Sequence, residues 1–167
     1  MDWHITKIPE RFGSGWTGYS WNRELIPEPE KLLKKLHDKK LKLSLNVHPA
    51  DGIRAYEDAY PAVAKRLGLD AASEEPAIFD IADPRFRESY FKDVHYPLEE
   101  QGVDFWWIDW QQGTQGVQDP LWLLNHYHFV DNCKRADGGL ILSRYAGPGS
   151  HRYPVGFSGD TIVTWES

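Results

Sequence analysis

The feature that most constrains this chain is residues 103–110, VDFWWIDW, a run of apolar and aromatic residues that begins right after Gly102 and carries its only carboxylates at position 104 and near its end, at Asp109. Eight such residues are too few for a stable isolated helix, and the run fits a parallel strand covered on both faces. Trp106 and Trp107 are adjacent, so they point to opposite sides of that strand. One is expected inside a sheet layer facing the site and the other under helices.

The rest of the chain repeats a helix-then-strand grammar. Residues 28–40, EPEKLLKKLHDKK, put Leu32, Leu33 and Leu36 on one face, with Glu28 and Glu30 at the start and lysines at the end, complementing the helix dipole. LKLSLNV at 41–47 then alternates with period two and reads as a strand ending at His48-Pro49. A helix is expected over Ala55–Leu67, with Pro61 in an early turn or at a break. Asp83-Pro84 sets an N-cap and first-turn pair for a helix whose inward residues are Phe86, Tyr90, Phe91, Val94 and Leu98, closed by Gly102. Asp119-Pro120 opens another helix to about Lys134, with Leu123, Leu124, Tyr127 and Val130 inward. LILSRY follows as a strand ending at Arg144, then a loop with four glycines and two prolines over 146–159, and TIVTW at 161–165 reads as the start of a further strand.

Strands alternating with helices predict an α/β chain with a parallel sheet, doubly wound or closed into a barrel. Neither a G-x-G-x-x-G fingerprint nor a phosphate-binding P-loop is present. A complete (β/α)8 barrel takes about 250 residues, so these 167 are expected to form roughly the middle half of one, a single unit spanning 1–167. The open first and last strands of such a piece are expected to promote self-association.

Composition narrows the partners. A net charge of -6 argues against a nucleic-acid surface, which draws on clustered Lys and Arg. Nowhere are there eighteen consecutive apolar residues, and no charged start followed by an apolar run opens the chain, so neither a membrane partner nor a leader is expected in it. The single cysteine, Cys133, excludes an internal disulfide and fits a reducing compartment without fixing one. The 14% aromatic content exceeds what a core this size needs, and rings that stack on sugars would account for the excess.

In a parallel barrel, catalytic side chains sit where strands end. Asp109 ends one strand, and Asp160 lies at the far edge of the glycine-rich loop. Two carboxylates at one cleft mouth suit glycoside cleavage, in which one attacks or stabilises the anomeric carbon and the other protonates the leaving oxygen. FWWIDWQQG resembles the nucleophile region of family 31 glycoside hydrolases, and SRYAGPGSHRYPVGFSGDT resembles their acid/base region. DWH, GWTGYSWN and NVHPADGI extend the likeness over nearly the whole chain.

The resemblance implies a retaining α-glycosidase with Asp109 as nucleophile and Asp160 as acid/base. It further implies Arg144 on sugar hydroxyls, Trp107, Trp110 and Phe157 as walls of the cleavage subsite, and an α-linked oligosaccharide or glycoside as substrate, with no metal or organic cofactor. The sequence departs from the family's common Met-Asn-Glu after the nucleophile, having Trp110, Gln111 and Gln112 instead, which leaves the sugar open. The family's aspartate for the outer hydroxyls aligns just before Met1, and its later histidine would fall past Ser167, consistent with an expected truncated barrel. The rival reading is a carbohydrate-binding or inactive barrel remnant.

Other polar residues have plainer readings. Asp80 and Asp83 fit a strand-end hydrogen-bonding residue and a helix cap; His126 and His128, two apart on a helix, face different sides and suit a metal poorly. His48 ends a strand, where it either touches substrate or is satisfied by a loop carbonyl, and it is not placed in the site set. Trp16, Tyr19 and Trp21 either line a subsite or pin their loop to the barrel, and His151 and Arg152 either contact substrate or anchor theirs.

Overall fold

The computed structural model describes residues 3–13, 15, 18–109, 119–135, 138–144, 147–153, 156, 157, 162, 164 and 165. Among them, three strands form one parallel sheet in the order β1 (Ser44–Val47), β2 (Phe105–Ile108), β3 (Ile141–Ser143). Helices α2 (Tyr60–Leu67), α3 (Pro84–Ser89) and α4 (Tyr96–Glu100) lie between β1 and β2 in sequence, and α5 (Pro120–Arg135) lies between β2 and β3. Helix α1 (Pro29–Asp38) leads into β1.

The sheet has two unlike faces. Leu45, Val47, Trp106, Ile108 and Ile141 are buried on one side, while Ser44, Asn46, Phe105, Trp107 and Leu142 on the other are half-buried. Register aligns them in rungs, with Asn46 beside Trp107 and Trp107 beside Leu142. Trp106 packs under the helices: its Nε1 donates to Glu99 Oε1 at 2.6 Å and its ring meets His95 at 4.4 Å. Trp107 faces the other way. Among the described residues the expected cover on both faces is therefore fuller on the helix side, where the strand residues are buried, than on the other face, where they are half-buried.

Element boundaries shift where local chemistry competes. β1 begins at Ser44, not Leu41, because the preceding residues close α1: Lys40 adopts φ 62, its N–H reaches His37 O at 2.8 Å, and Leu41 N–H reaches Leu36 O at 3.1 Å. That pair of bonds is a Schellman termination, and it leaves Leu41 half-exposed instead of in the ladder. α2 begins at Tyr60 because Pro61, lacking an N–H, fits only the first turn. Ahead of it, Glu57 is folded inward to accept from Tyr19 N–H (3.0 Å) and Ser20 Oγ–H (2.7 Å).

The helix expected after Asp83-Pro84 is capped as foreseen, with Asp83 Oδ1 accepting from Arg85 N–H at 2.8 Å, a contact of the kind that contributes about 1 kcal/mol. Asp80 accepts from the Ala82 and Asp83 N–H groups in a turn, with no strand at its position. A π-helical turn over Tyr90–His95 divides this helix. Pro97 cannot donate, and its ring would press on the carbonyl four residues back, so the chain widens: Tyr96 N–H bonds to Phe91 O, and His95 Nδ1–H takes the Tyr90 carbonyl at 2.7 Å. Phe86, Tyr90, Phe91, Val94 and Leu98 are all buried regardless.

On α5 the inward stripe is more polar than expected. Leu123 and Leu124 are buried, Tyr127 and Val130 only half so, and Asn125, His128, Asp131 and Asn132 share the buried side. Most of these bring partners: His128 Nε2 accepts from Tyr90 Oη–H (3.0 Å), Asp131 from Tyr96 Oη–H (2.6 Å), and Asn132 Oδ1 from Leu140 N–H (2.8 Å). The strand expected over 161–165 is not found in its described residues: Thr164 is a bend, Trp165 a fully exposed turn, and Ile162 is 79% exposed.

Candidate active site

Val47, Ile108 and Ser143 occupy one rung at the C-terminal edge of the sheet. Ladder bonds continue one residue past each pair: Asp109 N–H donates to Val47 O at 3.0 Å, and Arg144 N–H to Ile108 O at 3.2 Å. The backbone beneath the site is thus held by the sheet itself. Period-two alternation then sends His48, Asp109 and Arg144 toward the half-buried face that carries Asn46, Trp107 and Leu142.

The three side chains meet. Arg144 Nε donates to Asp109 Oδ1 at 2.5 Å, and His48 Nε2 stands 3.4 Å from Asp109 Oδ2. Asp109 is only 4% exposed. A carboxylate with so little water is costly unless paired, and the Arg144 guanidinium supplies the fixed cation that pairs with it. Arg144 is itself steadied by an aromatic ring: its Cζ lies 5.3 Å from the centroid of Phe157.

Phe157 arrives through a single parallel bridge between Ser143 and Gly156, which sets it beside the end of β3. Its ring meets Trp107 edge to face at 5.6 Å. Trp107 Nε1 is buried and has no hydrogen-bond partner among the described residues. Of the six residues singled out from sequence, Asp109, Arg144, Trp107 and Phe157 therefore converge on one spot. Asp160 and Trp110 lie outside the described residues.

Sequence reasoning left one member out. His48 follows Val47 just as Asp109 follows Ile108 and Arg144 follows Ser143, and extending the same alternation by one residue would have placed it at the site. Other residues in question fall elsewhere: Tyr19 and Trp21 are buried as loop anchors, Trp21 Nε1 donating to Gln101 Oε1 at 2.6 Å, while Trp16 is outside the described residues. His151 and Arg152 are exposed in a short 3-10 turn. His126 stacks on Trp122 at 5.6 Å, on a different side of α5 from buried His128.

A nearly dry aspartate gripped at a strand end by an arginine, with two aromatic rings alongside, is placed as a carboxylate able to attack an electrophilic carbon of a ring-shaped substrate. Among the described residues no group of three or more His, Cys, Asp or Glu is placed to hold a metal ion, and no helix is long and apolar enough to cross a membrane. The family model described as glycosyl hydrolases family 31 TIM-barrel domain matches residues 1–167. The three parallel strands with their connecting helices are accordingly part of an α/β barrel, membership implies glycoside hydrolysis and a carbohydrate substrate, and the chain belongs to glycosyl hydrolase family 31.

Proposed function

We propose that this chain, folding as one unit over 1–167, carries the retaining centre of an α-glycosidase that cleaves terminal α-linked sugars. The observation behind the reading is Asp109, buried at the end of β2 and held by Arg144 at 2.5 Å. In the first step, an Asp109 oxygen forms a bond to the anomeric carbon as the bond to the leaving oxygen breaks, and Asp160 gives that oxygen its proton. In the second, water attacks the same carbon, Asp160 takes the water's proton, and the bond to Asp109 breaks. Two inversions return the starting configuration. Such a pair works at a separation of about 5 to 5.5 Å.

Arg144 has a second task in this reading. Its Nε engages Asp109, and in this reading the same guanidinium fork, which carries further N–H donors, also donates to sugar hydroxyls. Trp107, Trp110 and Phe157 wall the subsite that receives the ring. The test is proton NMR of the first-formed sugar from an α-glycoside: an α anomer appearing before mutarotation supports retention, and a β anomer refutes it.

A non-catalytic carbohydrate-binding role draws support from one observation, the half-buried state of Ser44, Asn46, Phe105, Trp107 and Leu142 on the inner sheet face. The same open face and sheet edges predict self-association of the isolated chain. Sedimentation should show mass rising with concentration. A monomer at every concentration contradicts that expectation.

A further inference from the structure

We propose that His48 is a positioning residue that orients the Asp109 carboxylate for attack, an inference that rests on the reading of Asp109 as nucleophile. A carboxylate gripped at one oxygen still rotates about its Cβ–Cγ bond, and attack requires one oxygen aimed along the line to the anomeric carbon. Arg144 holds Oδ1. His48 Nε2 lies 3.4 Å from Oδ2, on the opposite oxygen, so the plane of the group is bracketed from both sides.

The bracket is rigid because of where its parts are rooted. Each of the three side chains follows a residue of one sheet rung, Val47, Ile108 or Ser143. Pro49 comes directly after His48, fixing its own φ and keeping His48 out of the helical region, at φ -121 and ψ 80. The His48 side chain is only 12% exposed, so it is confined to the site.

In the proposed bracket His48 Nε2 carries the hydrogen and Asp109 Oδ2 accepts it. At 3.4 Å it is long for a hydrogen bond, as catalytic contacts often are before substrate closes on them. Because Arg144 already holds Oδ1 at 2.5 Å, Oδ2 is the oxygen that attacks. Its second lone pair remains available while the first faces His48. In the glycosyl-enzyme, Oδ2 becomes the ester oxygen and Oδ1 the carbonyl oxygen, still held by Arg144.

The two amide replacements of histidine separate this role from a merely structural one. In His48→Gln the side-chain amide nitrogen reaches the place of Nε2, whereas in His48→Asn it stops near Nδ1. The experiment measures, in the full chain, the rate at which a 2-deoxy-2-fluoro α-glycosyl reagent labels Asp109, together with the thermal midpoint of each variant. With the unsubstituted chain as reference, Gln should stay within about threefold and Asn should fall about 10- to 100-fold, at matching midpoints, as misaiming of a reacting group by a fraction of an ångström requires. Equal rates for Gln and Asn, whether both fast or both slow, would overturn the proposal. Absence of label on the unsubstituted chain would instead defeat the reading of Asp109 itself and withdraw this inference with it.

Discussion

Strand β2 is flanked by two aspartates, and each is paired with a cation and a histidine. At the N-terminal edge, Asp104 accepts from Lys42 Nζ at 2.7 Å, His37 Nε2 at 2.8 Å and Leu43 N–H at 2.8 Å. At the C-terminal edge, Asp109 has Arg144 at 2.5 Å and His48 at 3.4 Å. The difference lies in what each pairing closes. Asp104 ties the end of α1 and the starts of β1 and β2 together, partly through backbone, with an exposed lysine as its cation. Asp109 is met by side chains rooted on two neighbouring strand ends, is nearly dry, and has aromatic rings nearby. In a barrel the first edge supports stability and the second carries chemistry.

The sharpest way to break this comparison is to remove one charge at each end. Asp109→Asn should lower glycosidase activity by about 10^4-fold or more, since a nucleophile that acts as part of a unit is not replaced by its neighbours. Asp104→Ala should leave kcat within about twofold and cost about 2 to 3 kcal/mol in urea unfolding, the scale of hydrogen bonds to a charged group. Activity lost at Asp104 and retained at Asp109 would reverse the assignment of the two edges.

Acid sharpens the same contrast. Burial raises the Asp104 carboxyl, but Lys42, the Leu43 N–H and His37 outweigh it, so its pKa is lowered and its stabilisation, present above the ordinary aspartate range, is lost as pH falls through the lowered value. Beneath the sheet, burial pushes His95 down to about 3 from 6.5, against the pull of the Tyr90 carbonyl, and holds His128 well below its ordinary value. The unfolded chain binds protons at these histidines that the folded chain refuses, so stability falls as pH drops from 6.5 toward 3. The slope reaches about 1.4 kcal/mol per pH unit for each. His128→Gln, which can still accept from Tyr90, should flatten the thermal midpoint against pH between 6.5 and 4. An unchanged slope would count against a buried neutral His128.

The smallest expected effect lies next to the Asp104 cluster. Lys40 holds a left-handed backbone that glycine adopts without strain, so Lys40→Gly should stabilise by about 0.5 kcal/mol without touching activity. A loss of stability in calorimetry would mean that the Lys40 side chain contributes contacts that the termination geometry does not require.

Much of this arrangement is legible in the residues because periodicity reports burial. The alternation through Leu45 and Val47 marks β1, and Leu123 with Leu124 marks the buried side of α5. What period cannot report is competition. Leu41 fits a strand by pattern, yet its N–H is claimed by Leu36 O to end α1. The π turn at Tyr90–His95 follows from a proline two residues beyond it, and the polar stripe of α5 depends on Tyr90 and Tyr96 arriving from another helix. At the site, Asp109 and Arg144 stand out as charges ending apolar runs, whereas His48, ending a more polar strand, carries no such contrast. The pairing of Asp104 with His37 and Lys42 spans more than 60 positions and leaves no trace in local sequence.

The central claim is that Asp109 is the nucleophile of a retaining glycosidase. The most direct test is mass spectrometry after incubation with 2-deoxy-2-fluoro or cyclophellitol-type α-glycosyl reagents, with Asp109→Asn as control. One glycosyl adduct on the peptide containing Asp109, absent from the control, is the predicted result. Folded protein that takes no adduct with any sugar, or takes it on another carboxylate, would contradict the claim.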